Sequence, residues 1–482
     1  MSWWSVQEVW WLTVGSILLL AGVFTNQKRA YRMGKLSLGI MWIALVMIVF
    51  FQPIGTAFGG AYVSTGLTTL LKVLFVLSAI ISTWIAHYEQ ITTNEQPYVR
   101  EAVVLPWFIL AGMGLMASAR DFTLLFVSLE LVTVTFYILV SLRRKDVLSV
   151  EAGIKYLITG ALSTGFLVFG IALIYGVTGS LQYDAVEKFF SHSTQQSSGS
   201  TAIHLGILLL LASLGFKVAV VPFHWWAPDV YQGAPTSVTT FVSTGSKAAG
   251  FSVLITLFQF DGPLFYYARQ NSNLLLTVAT LSILFGSLAG LAQRDLKRLV
   301  AYSGINNSGF ILLALSALNS QAAVITVFYL YAYSFASLLL LFMVGYLSAK
   351  AGKNTLALTD ISGLASKNPA LSWSLVVALT SLAGVPPTVG FWGKWFVLSS
   401  ALDNGHIWAV VVAVIGAIAA LVYYLGIVRA VFFEEMSATL KNLVLERLTF
   451  FYRLGLSTIL VVCVVISITP NILLSFLNAI SK

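Results

Sequence analysis

Long apolar runs, separated by short polar segments, recur along the whole chain. Each run is about 20 residues long, which is the length an α-helix needs to cross a bilayer. The pattern therefore predicts an all-α polytopic membrane protein with about fourteen transmembrane helices. The spans are expected at residues 10–24, 36–58, 66–86, 103–119, 122–142, 153–178, 202–221, 237–260, 274–291, 299–318, 322–347, 371–400, 407–433 and 454–476.

The polar segments between the runs are short. Residues 181–201 contain the run SHSTQQSSGS and are expected to form a flexible external loop. Residues 434–447 are amphipathic and are expected to form a short helix on the membrane surface. None of these segments is long enough to fold as a soluble catalytic domain.

The composition supports a membrane protein and decides its orientation. Apolar residues make up 58% of the 482 residues and charged residues only 9%, whereas soluble domains carry about 25% charge. The net charge of +9 does not indicate a nucleic-acid partner, because the basic residues lie in short loops between spans. Most of them, including Arg144 and Arg298, fall in one set of alternating loops. The positive-inside rule places that set in the cytoplasm and both termini outside.

One cysteine, Cys463, is present, and it lies within an apolar run. A disulfide, a thiolate-held iron–sulfur cluster and a CxxC haem attachment each need at least two cysteines within the chain. All three are therefore excluded.

Charged residues inside the predicted spans are the candidates for chemistry. A lysine at the centre of a span costs about 2.5–3.5 kcal/mol on insertion scales, so each needs a reason. One reason is that the side chain snorkels, so that its ammonium reaches the membrane surface, and this explanation suits Lys155 and Lys72. Intramembrane charges otherwise mark ion or proton paths. That interpretation is favoured for four residues, which are Glu130, Lys217, Lys247 and Lys394.

These residue types suit proton transfer. Burial disfavours the charged form of a lysine, and a nearby carboxylate favours it again. A lysine whose carboxylate partner can approach or withdraw is therefore a switchable proton site. A row of such lysines with water between them would carry protons laterally through the membrane. For Lys394, flanked by tryptophans, an anchor at the membrane interface is the alternative interpretation.

Proline interrupts two of the predicted spans, at Pro222 and at Pro386-Pro387. Irregular backbone at membrane depth occurs where it is buried or lines a cavity. Paired breaks in the two halves of a chain are typical of an inverted-repeat transporter with its working site at the breaks. Two unrelated proline kinks are the alternative, but each break has an intramembrane lysine nearby.

Four segments resemble the antiporter-like N subunit family of bacterial respiratory complex I, NADH-quinone oxidoreductase subunit N. They are EAGIKYLITGALSTGFLVFG at 151–170, PFHWWAPDVYQGAPTSVTTFVSTGSKAAGF at 222–251, RDLKRLVAYSGI at 294–305 and SLAGVPPTVGFWGKW at 381–395. The resemblance extends over almost the whole chain. Sister subunits and the Mrp antiporter subunits share the broken helices but differ from the PDVYQGAPT string.

The resemblance implies two inverted five-helix repeats, each with a broken helix. The expected units are N-terminal flanking helices at 1–102, half-channels at 103–260 and 261–433, and a surface segment with a C-terminal helix at 434–482.

The resemblance also implies a role for each candidate residue. Glu130 would pair with Lys217, Lys247 would be the central connecting lysine, and Lys394 would end the path. Lys155 matches the lysine of the family's KY motif. Many members carry a histidine in the tenth helix where this chain has Asn306 and Asn307, so water held by the two amides is expected there instead.

The function implied is proton translocation in the membrane arm of an H⁺-translocating NADH:quinone oxidoreductase, with this chain as a non-redox subunit. It would carry no cofactor, since NADH, FMN, iron–sulfur clusters and quinone belong to partner subunits. The expected partners are neighbouring antiporter-like and small membrane subunits and the lipid bilayer, with no nucleic acid. The expected location is the bacterial inner membrane, with both termini periplasmic.

Three other functions compete with this interpretation. The nearest is an Mrp-type cation/proton antiporter subunit, which would use the same broken helices. A sodium-coupled solute transporter would need a substrate cavity at the breaks, where this chain has lysines. A purely structural scaffold does not explain charges that are costly in the membrane.

Overall fold

The structure of the chain is a computed structural model, and it describes residues 6–24, 27–51, 54–93, 99–192, 200–259, 262–443 and 450–481. Within these ranges the chain is helical apart from short connections and one two-stranded hairpin. The predicted class, an all-α polytopic membrane protein, is confirmed by this architecture.

Six helices and the hairpin form the N-terminal part. The helices are α1 Gln7–Val23, α2 Gln27–Phe51, α3 Gly66–Thr93, α4 Val99–Ser118, α5 Phe122–Val140 and α6 Val147–Thr178. Between α2 and α3, strand β1 (Gly55–Ala57) pairs antiparallel with strand β2 (Tyr62–Ser64), with Thr56 opposite Val63. Tyr62 also forms a β-bridge with Ala119, so the hairpin packs on the junction between α4 and α5.

Eight helices follow, two of them joined without a gap. They are α7 Tyr183–His192, α8 Ser200–Val218, α9 Trp226–Gly233, α10 Thr236–Phe241, α11 Lys247–Phe258, α12 Phe265–Gln270, α13 Ser272–Leu291 and α14 Leu296–Leu315. A π-helical turn, Val242–Ser246, connects α10 to α11, so the three segments make one continuous span.

The C-terminal part contains the remaining helices. They are α15 Ala322–Ala351, α16 Leu364–Lys367, α17 Pro369–Ala383, α18 Val389–Asp403, α19 Ile407–Phe433, α20 Ala438–Asn442, α21 Phe450–Ile468 and α22 Pro470–Ser481. A 3₁₀ turn, Leu358–Ile361, lies in the connection between α15 and α16.

The predicted spans coincide with these helices, but the count of fourteen is not reproduced by length and apolarity alone. Among the described residues, 10 helices are long and apolar enough to cross a membrane, or 11 if α21 and α22, bent by 84°, form one span. The other predicted spans coincide with α1, which has 17 residues, with the more polar α14, and with the α17–α18 pair.

Two expectations for the connecting segments are corrected. The loop expected at 181–201 contains a ten-residue helix, α7, whose apolar face packs inward through Val186, and residues 193–199 lie outside the described residues. The surface helix expected at 434–447 is only the five-residue α20. The rest of that segment, from residue 444, lies outside the described residues.

Local sequence explains where several helices begin and end. Asp121, Asp146 and Asp295 precede α5, α6 and α14, and each carboxylate accepts hydrogen bonds from backbone amides of the first turn. Gly384 ends α17 in the left-handed conformation, with a φ of 82° that favours glycine.

The helices are arranged around a buried centre. All residues of α11 and nearly all of α15 are buried, whereas α2, α6 and α19 expose many apolar side chains. An apolar outer surface is stable where it meets lipid or another apolar subunit. Several polar side chains, including those of Lys217, Lys247 and Lys394, are nevertheless buried in this interior.

Both predicted helix breaks are present. The first break separates α8 from α9 and contains Pro222, and the second separates α17 from α18 and contains Pro386 and Pro387. The peptide bonds Val221-Pro222 and Pro386-Pro387 are cis. Each break therefore leaves helix-terminal carbonyl groups in the middle of a bundle of long helices.

Candidate functional site

Three of the predicted lysines are buried inside the bundle. The exposed fraction is 4% for Lys217, 2% for Lys247 and 6% for Lys394. Each lies beside irregular backbone: Lys217 at the end of α8, Lys247 directly after the π-helical turn, and Lys394 in the second turn of α18. Among the described residues, no carboxylate oxygen lies within 4 Å of any of the three ammonium groups.

Lys394 reaches back to the end of the preceding half-helix. Its ammonium donates hydrogen bonds to the carbonyl oxygens of Leu382 (3.1 Å) and Ala383 (2.7 Å), the last residues of α17. A Cβ atom at Gly384 would lie 2.7 Å from the Lys394 Cδ, so this approach requires glycine. The charge lies at the negative end of the α17 dipole and away from the protein surface, unlike the interfacial anchor considered above.

Lys247 connects two helices at the centre of the bundle. Its ammonium donates to the carbonyl oxygen of Gly304 on α14 at 2.7 Å and lies 5.4 Å from the centre of the Tyr333 ring. The Tyr333 hydroxyl donates to the carbonyl oxygen of Ser243, within the π-helical turn, at 3.2 Å. The widened turn thus supplies a carbonyl that accepts a bond from a neighbouring helix.

Lys217 is linked to the surroundings of Lys247 through the next residue in the chain, Val218. Its ammonium makes no hydrogen bond in the described part of the chain and lies 5.8 Å from the centre of the Phe136 ring. The Ser308 hydroxyl on α14 is 2.8 Å from the carbonyl oxygen of Val218 and 2.9 Å from that of Gly304. Ser308 therefore bridges the end of α8 to the carbonyl that holds Lys247.

Asn307 and Tyr329 form a hydrogen-bonded pair that reaches α18, the helix of Lys394. The Tyr329 hydroxyl donates to the Asn307 Oδ1 at 2.8 Å, and the Asn307 Nδ2 donates to the carbonyl oxygen of Ser303 at 2.8 Å. The Tyr329 ring lies against Gly393, where a Cβ atom would come within 2.7 Å of it. Tyr424 completes the group by a hydrogen bond between its hydroxyl and that of Ser303.

The side chains of the two asparagines make hydrogen bonds to different helices. The Asn306 Nδ2 donates to the carbonyl oxygen of Ile283 on α13 at 3.0 Å, on the other side of α14. Consecutive residues of a helix point in directions about 100° apart, so the two amides bond to different neighbours.

Glu130 lies on α5 and faces α6. Its carboxylate accepts a hydrogen bond from the Thr164 hydroxyl at 2.6 Å. Glu130 is half-buried, and it does not form a direct ion pair with Lys217 in this structure. A link between these two residues would have to cross the space between α5 and the end of α8.

Lys155 belongs to a separate cluster at the predicted cytoplasmic end of α6. Its ammonium lies 2.6 Å from Asp229 and 2.7 Å from Glu151, and its side chain is 44% exposed. Asp229, on α9, also pairs with Arg298 at 2.6 Å, which joins the first break to α14. The cluster is partly open to the surroundings, so Lys155 is not part of the buried row.

Two buried acidic residues were missed by the sequence analysis. Lys72 does not snorkel: its side chain is fully buried and its ammonium lies 2.7 Å from the Glu8 carboxylate. The Tyr62 hydroxyl donates to Glu8 at 3.0 Å and accepts from Lys72 at 2.9 Å. Glu89, near the end of α3, is 7% exposed and accepts from the Ser237 hydroxyl at 3.2 Å. A lysine within a span was a signal that a partner such as Glu8 should exist.

The described part of the chain contains no group of three or more histidine, cysteine, aspartate or glutamate side chains that could hold a metal ion. The buried row supplies ammonium, hydroxyl and amide groups, which can donate or accept hydrogen bonds.

Comparison with known proteins places the chain in a family. Residues 119–419 match the family described as NADH:quinone oxidoreductase/Mrp antiporter, TM. NADH-quinone oxidoreductase subunit N of Trichlorobacter lovleyi is 35% identical over 429 residues, covering 89% of this chain and 86% of that protein.

Solved structures give the same result. A chain of respiratory complex I from Thermus thermophilus superposes with a TM-score of 0.80 at 29% identity, covering 98% of both chains. A chain of the Mrp complex from Dietzia has a TM-score of 0.81 at 21% identity, covering 100% of this chain and 97% of that one, which is a likeness of fold. The chain therefore belongs to the NADH-quinone oxidoreductase subunit N family of antiporter-like membrane proteins.

Proposed function

We propose that this chain is the proton-translocating subunit N of an NADH:quinone oxidoreductase. The observation that carries the proposal is the burial of Lys217, Lys247 and Lys394 inside the bundle. On α14, Ser308 bonds to the carbonyl groups of Val218 and Gly304, and Asn307 bonds to Tyr329. A soluble substrate would need a cavity at the breaks, whereas a row of ammonium, hydroxyl and amide groups suits a proton.

The mechanism relies on Lys247 and Lys394, whose ammonium groups are hydrogen-bonded but, in the described part of the chain, not paired with a carboxylate. Carbonyl oxygens hold the Lys247 and Lys394 ammonium groups, and neither has a carboxylate partner within the described residues. A carbonyl stabilises the ammonium less than a carboxylate does, so a small change in nearby charge suffices to move the proton. Asn307 and Tyr329 would orient water between the two lysines, because both side chains can donate and accept.

Glu130 and Lys155 would act at the start of the path. Glu130 is a half-buried carboxylate within a predicted span of the first half and is the proposed electrostatic partner of Lys217. Lys155, held by Asp229 next to the first break, would relay protons from the predicted cytoplasmic side. Residues 103–260 and 261–433 are then two half-channels, one around each broken helix.

The redox chemistry belongs to partner subunits in this proposal. NADH, FMN, iron–sulfur clusters and quinone would be bound there, and this chain would be a non-redox subunit of the enzyme. Its partners would be the neighbouring antiporter-like and small membrane subunits. The proposed location is the bacterial inner membrane, and the distribution of basic residues supports termini on its periplasmic side.

Deletion and complementation in the native organism test the proposal. Inverted membrane vesicles that lack this chain should lose NADH-driven, quinone-dependent proton pumping, and the restored chain should recover it. The purified chain should be accompanied by NADH-quinone oxidoreductase subunits. Unchanged pumping in the deletion strain would contradict the proposal. Sodium/proton exchange without NADH would favour the Mrp-type alternative.

A further inference from the structure

A row of threonine hydroxyls begins on α10 and leads towards Lys247. Thr236 and Thr240 lie on α10, Thr244 lies four residues further in the π-helical turn, and Lys247 follows that turn as the first residue of α11. All four side chains are buried. The row begins at the predicted cytoplasmic end of α10 and ends at the central lysine.

The hydrogen-bond pattern leaves these hydroxyls able to relay a proton. The Thr240 hydroxyl donates to the Thr236 carbonyl oxygen at 2.8 Å, and the Thr244 hydroxyl donates to the Thr240 carbonyl oxygen at 2.7 Å. A hydroxyl that donates still has lone pairs that can accept. Successive hydroxyls are about 5.4–6 Å apart along the axis, which is the span of one bridging water.

Hydrogen bonds from threonine hydroxyls to the preceding turn are common in membrane helices, and by themselves they do not indicate a proton route. A second observation places a carboxylate near the start of the row. Next to Thr236, the Ser237 hydroxyl donates to the Glu89 carboxylate at 3.2 Å. Glu89 is 7% exposed, and the Arg143 guanidinium lies 3.9 Å from it. Arg143 belongs to the α5–α6 connection on the predicted cytoplasmic side, so Glu89 lies between that side and the row.

We infer that Glu89 loads Lys247 with protons from the predicted cytoplasmic side, along the hydroxyl row of α10. This inference rests on the proposed function and adds an entry route to it. A proton from water binds the Glu89 carboxylate, passes along water between the hydroxyls, and is accepted by the neutral amine of Lys247. The O–H bond of protonated Glu89 breaks at one end of the transfer, an N–H bond forms on Lys247 at the other, and Glu89 returns to its carboxylate form. Lys247 can accept only after its previous proton has moved on towards Asn307.

Valine replacements in the row provide the sharpest test. Thr240→Val and Thr244→Val keep the shape of the side chain and remove its hydroxyl. Thr239→Val is the matched control, since Thr239 is equally buried on α10 but its hydroxyl donates to the Tyr231 carbonyl oxygen at 2.9 Å. Each variant is studied in the whole complex in inverted vesicles, with assembly checked on native gels.

The double variant Thr240→Val with Thr244→Val should lower proton pumping per NADH oxidised at least twofold, while Thr239→Val pumps as the wild type does. Glu89→Gln should show the same loss, and Glu89→Asp should recover most of it. A structural role would instead impair assembly in the row variants and the control alike. Wild-type pumping in the double variant and in Glu89→Gln would overturn the inference.

Lys247→Ala separates this outcome from failure of the proposed function. If Lys247→Ala abolishes pumping while the row variants do not, the entry route is wrong and the proposed function stands. If Lys247→Ala also pumps normally, the proposed function itself fails.

Discussion

Lys247 and Gly304 are joined by a 2.7 Å hydrogen bond from the ammonium to the carbonyl oxygen. The bond connects a helix of the first proposed half-channel to α14 of the second. Ser308 contacts the same carbonyl oxygen at 2.9 Å and the end of α8 at 2.8 Å. One carbonyl group thus lies where the environments of Lys217 and Lys247 meet.

Gly304→Ala should displace the Lys247 ammonium without unfolding the chain. A Cβ atom there would lie 3.0 Å from the Nζ of Lys247, at the flexible end of a long side chain. Loss of a hydrogen bond to a charged group costs about 1.5–3 kcal/mol, so we expect coupled pumping to fall about tenfold. Gly165→Ala is the control, because a Cβ atom there has no neighbour within 4 Å. Equal pumping in the two variants would contradict the role of this bond.

Glu130→Gln should reduce quinone-reductase activity and proton pumping together. Glutamine keeps an oxygen that can accept the 2.6 Å hydrogen bond from Thr164, but it removes the negative charge proposed to act on Lys217. Both rates are measured in membranes that contain normal amounts of assembled complex. Full pumping in this variant would remove Glu130 from the mechanism.

The Glu8–Lys72 pair should determine stability rather than pumping. Both side chains are fully buried, 2.7 Å apart, so removing one partner leaves an uncompensated charge. Lys72→Met or Glu8→Gln alone should destabilise the chain by about 3–5 kcal/mol, seen as a lower melting temperature and less assembled complex. The double variant Glu8→Leu with Lys72→Met should recover most of that stability. Single variants as stable as the wild type would contradict this account.

Asp360 should hold α20 in place until the solution is strongly acidic. Its carboxylate accepts bonds from Lys353 (2.8 Å), Thr439 (2.8 Å) and the Ala357 amide (2.9 Å). Burial opposes ionisation, but these donors outweigh it and hold the pKa of Asp360 below its usual range. The stabilisation is therefore present at neutral pH and is lost only as the pH falls through this lowered pKa.

Hydrogen exchange of residues 438–442 measures this contact. After correction for intrinsic exchange, protection should stay constant between about pH 8 and pH 5. Asp360→Asn should lose protection across that range. Loss of protection in the wild type above pH 5 would show that Asp360 does not hold α20.

Apolar runs predicted the spans well because membrane helices must satisfy their backbone groups internally and present apolar side chains outward. Lys217, Lys247 and Lys394 could be identified from the sequence because a charged residue inside a span is rare. The same signal marked Lys72 but not Glu8, which lies two residues before the predicted span and meets Lys72 through packing of α1, α3 and the hairpin.

Other parts of the site could not be found in this way. Glu89 lies beyond the end of the predicted third span, and only the packing of α3 against α10 brings it to Ser237. Asn306 and Asn307 are equivalent in the sequence, and the side of α14 that each occupies depends on the position of α13 and α15. The composition of the π-helical turn before Lys247 does not distinguish it in the sequence, since serine, threonine and glycine occur in ordinary membrane helices as well.

Proton pumping per NADH oxidised in Lys394→Arg, with Lys394→Ala beside it, tests the central claim that the buried lysines release protons. An arginine keeps the positive charge and can donate to the Leu382 and Ala383 carbonyl groups, but its guanidinium does not deprotonate in a protein. The account predicts that the Arg variant assembles and pumps as poorly as the Ala variant. Wild-type pumping in Lys394→Arg, with a loss only in Lys394→Ala, would contradict it.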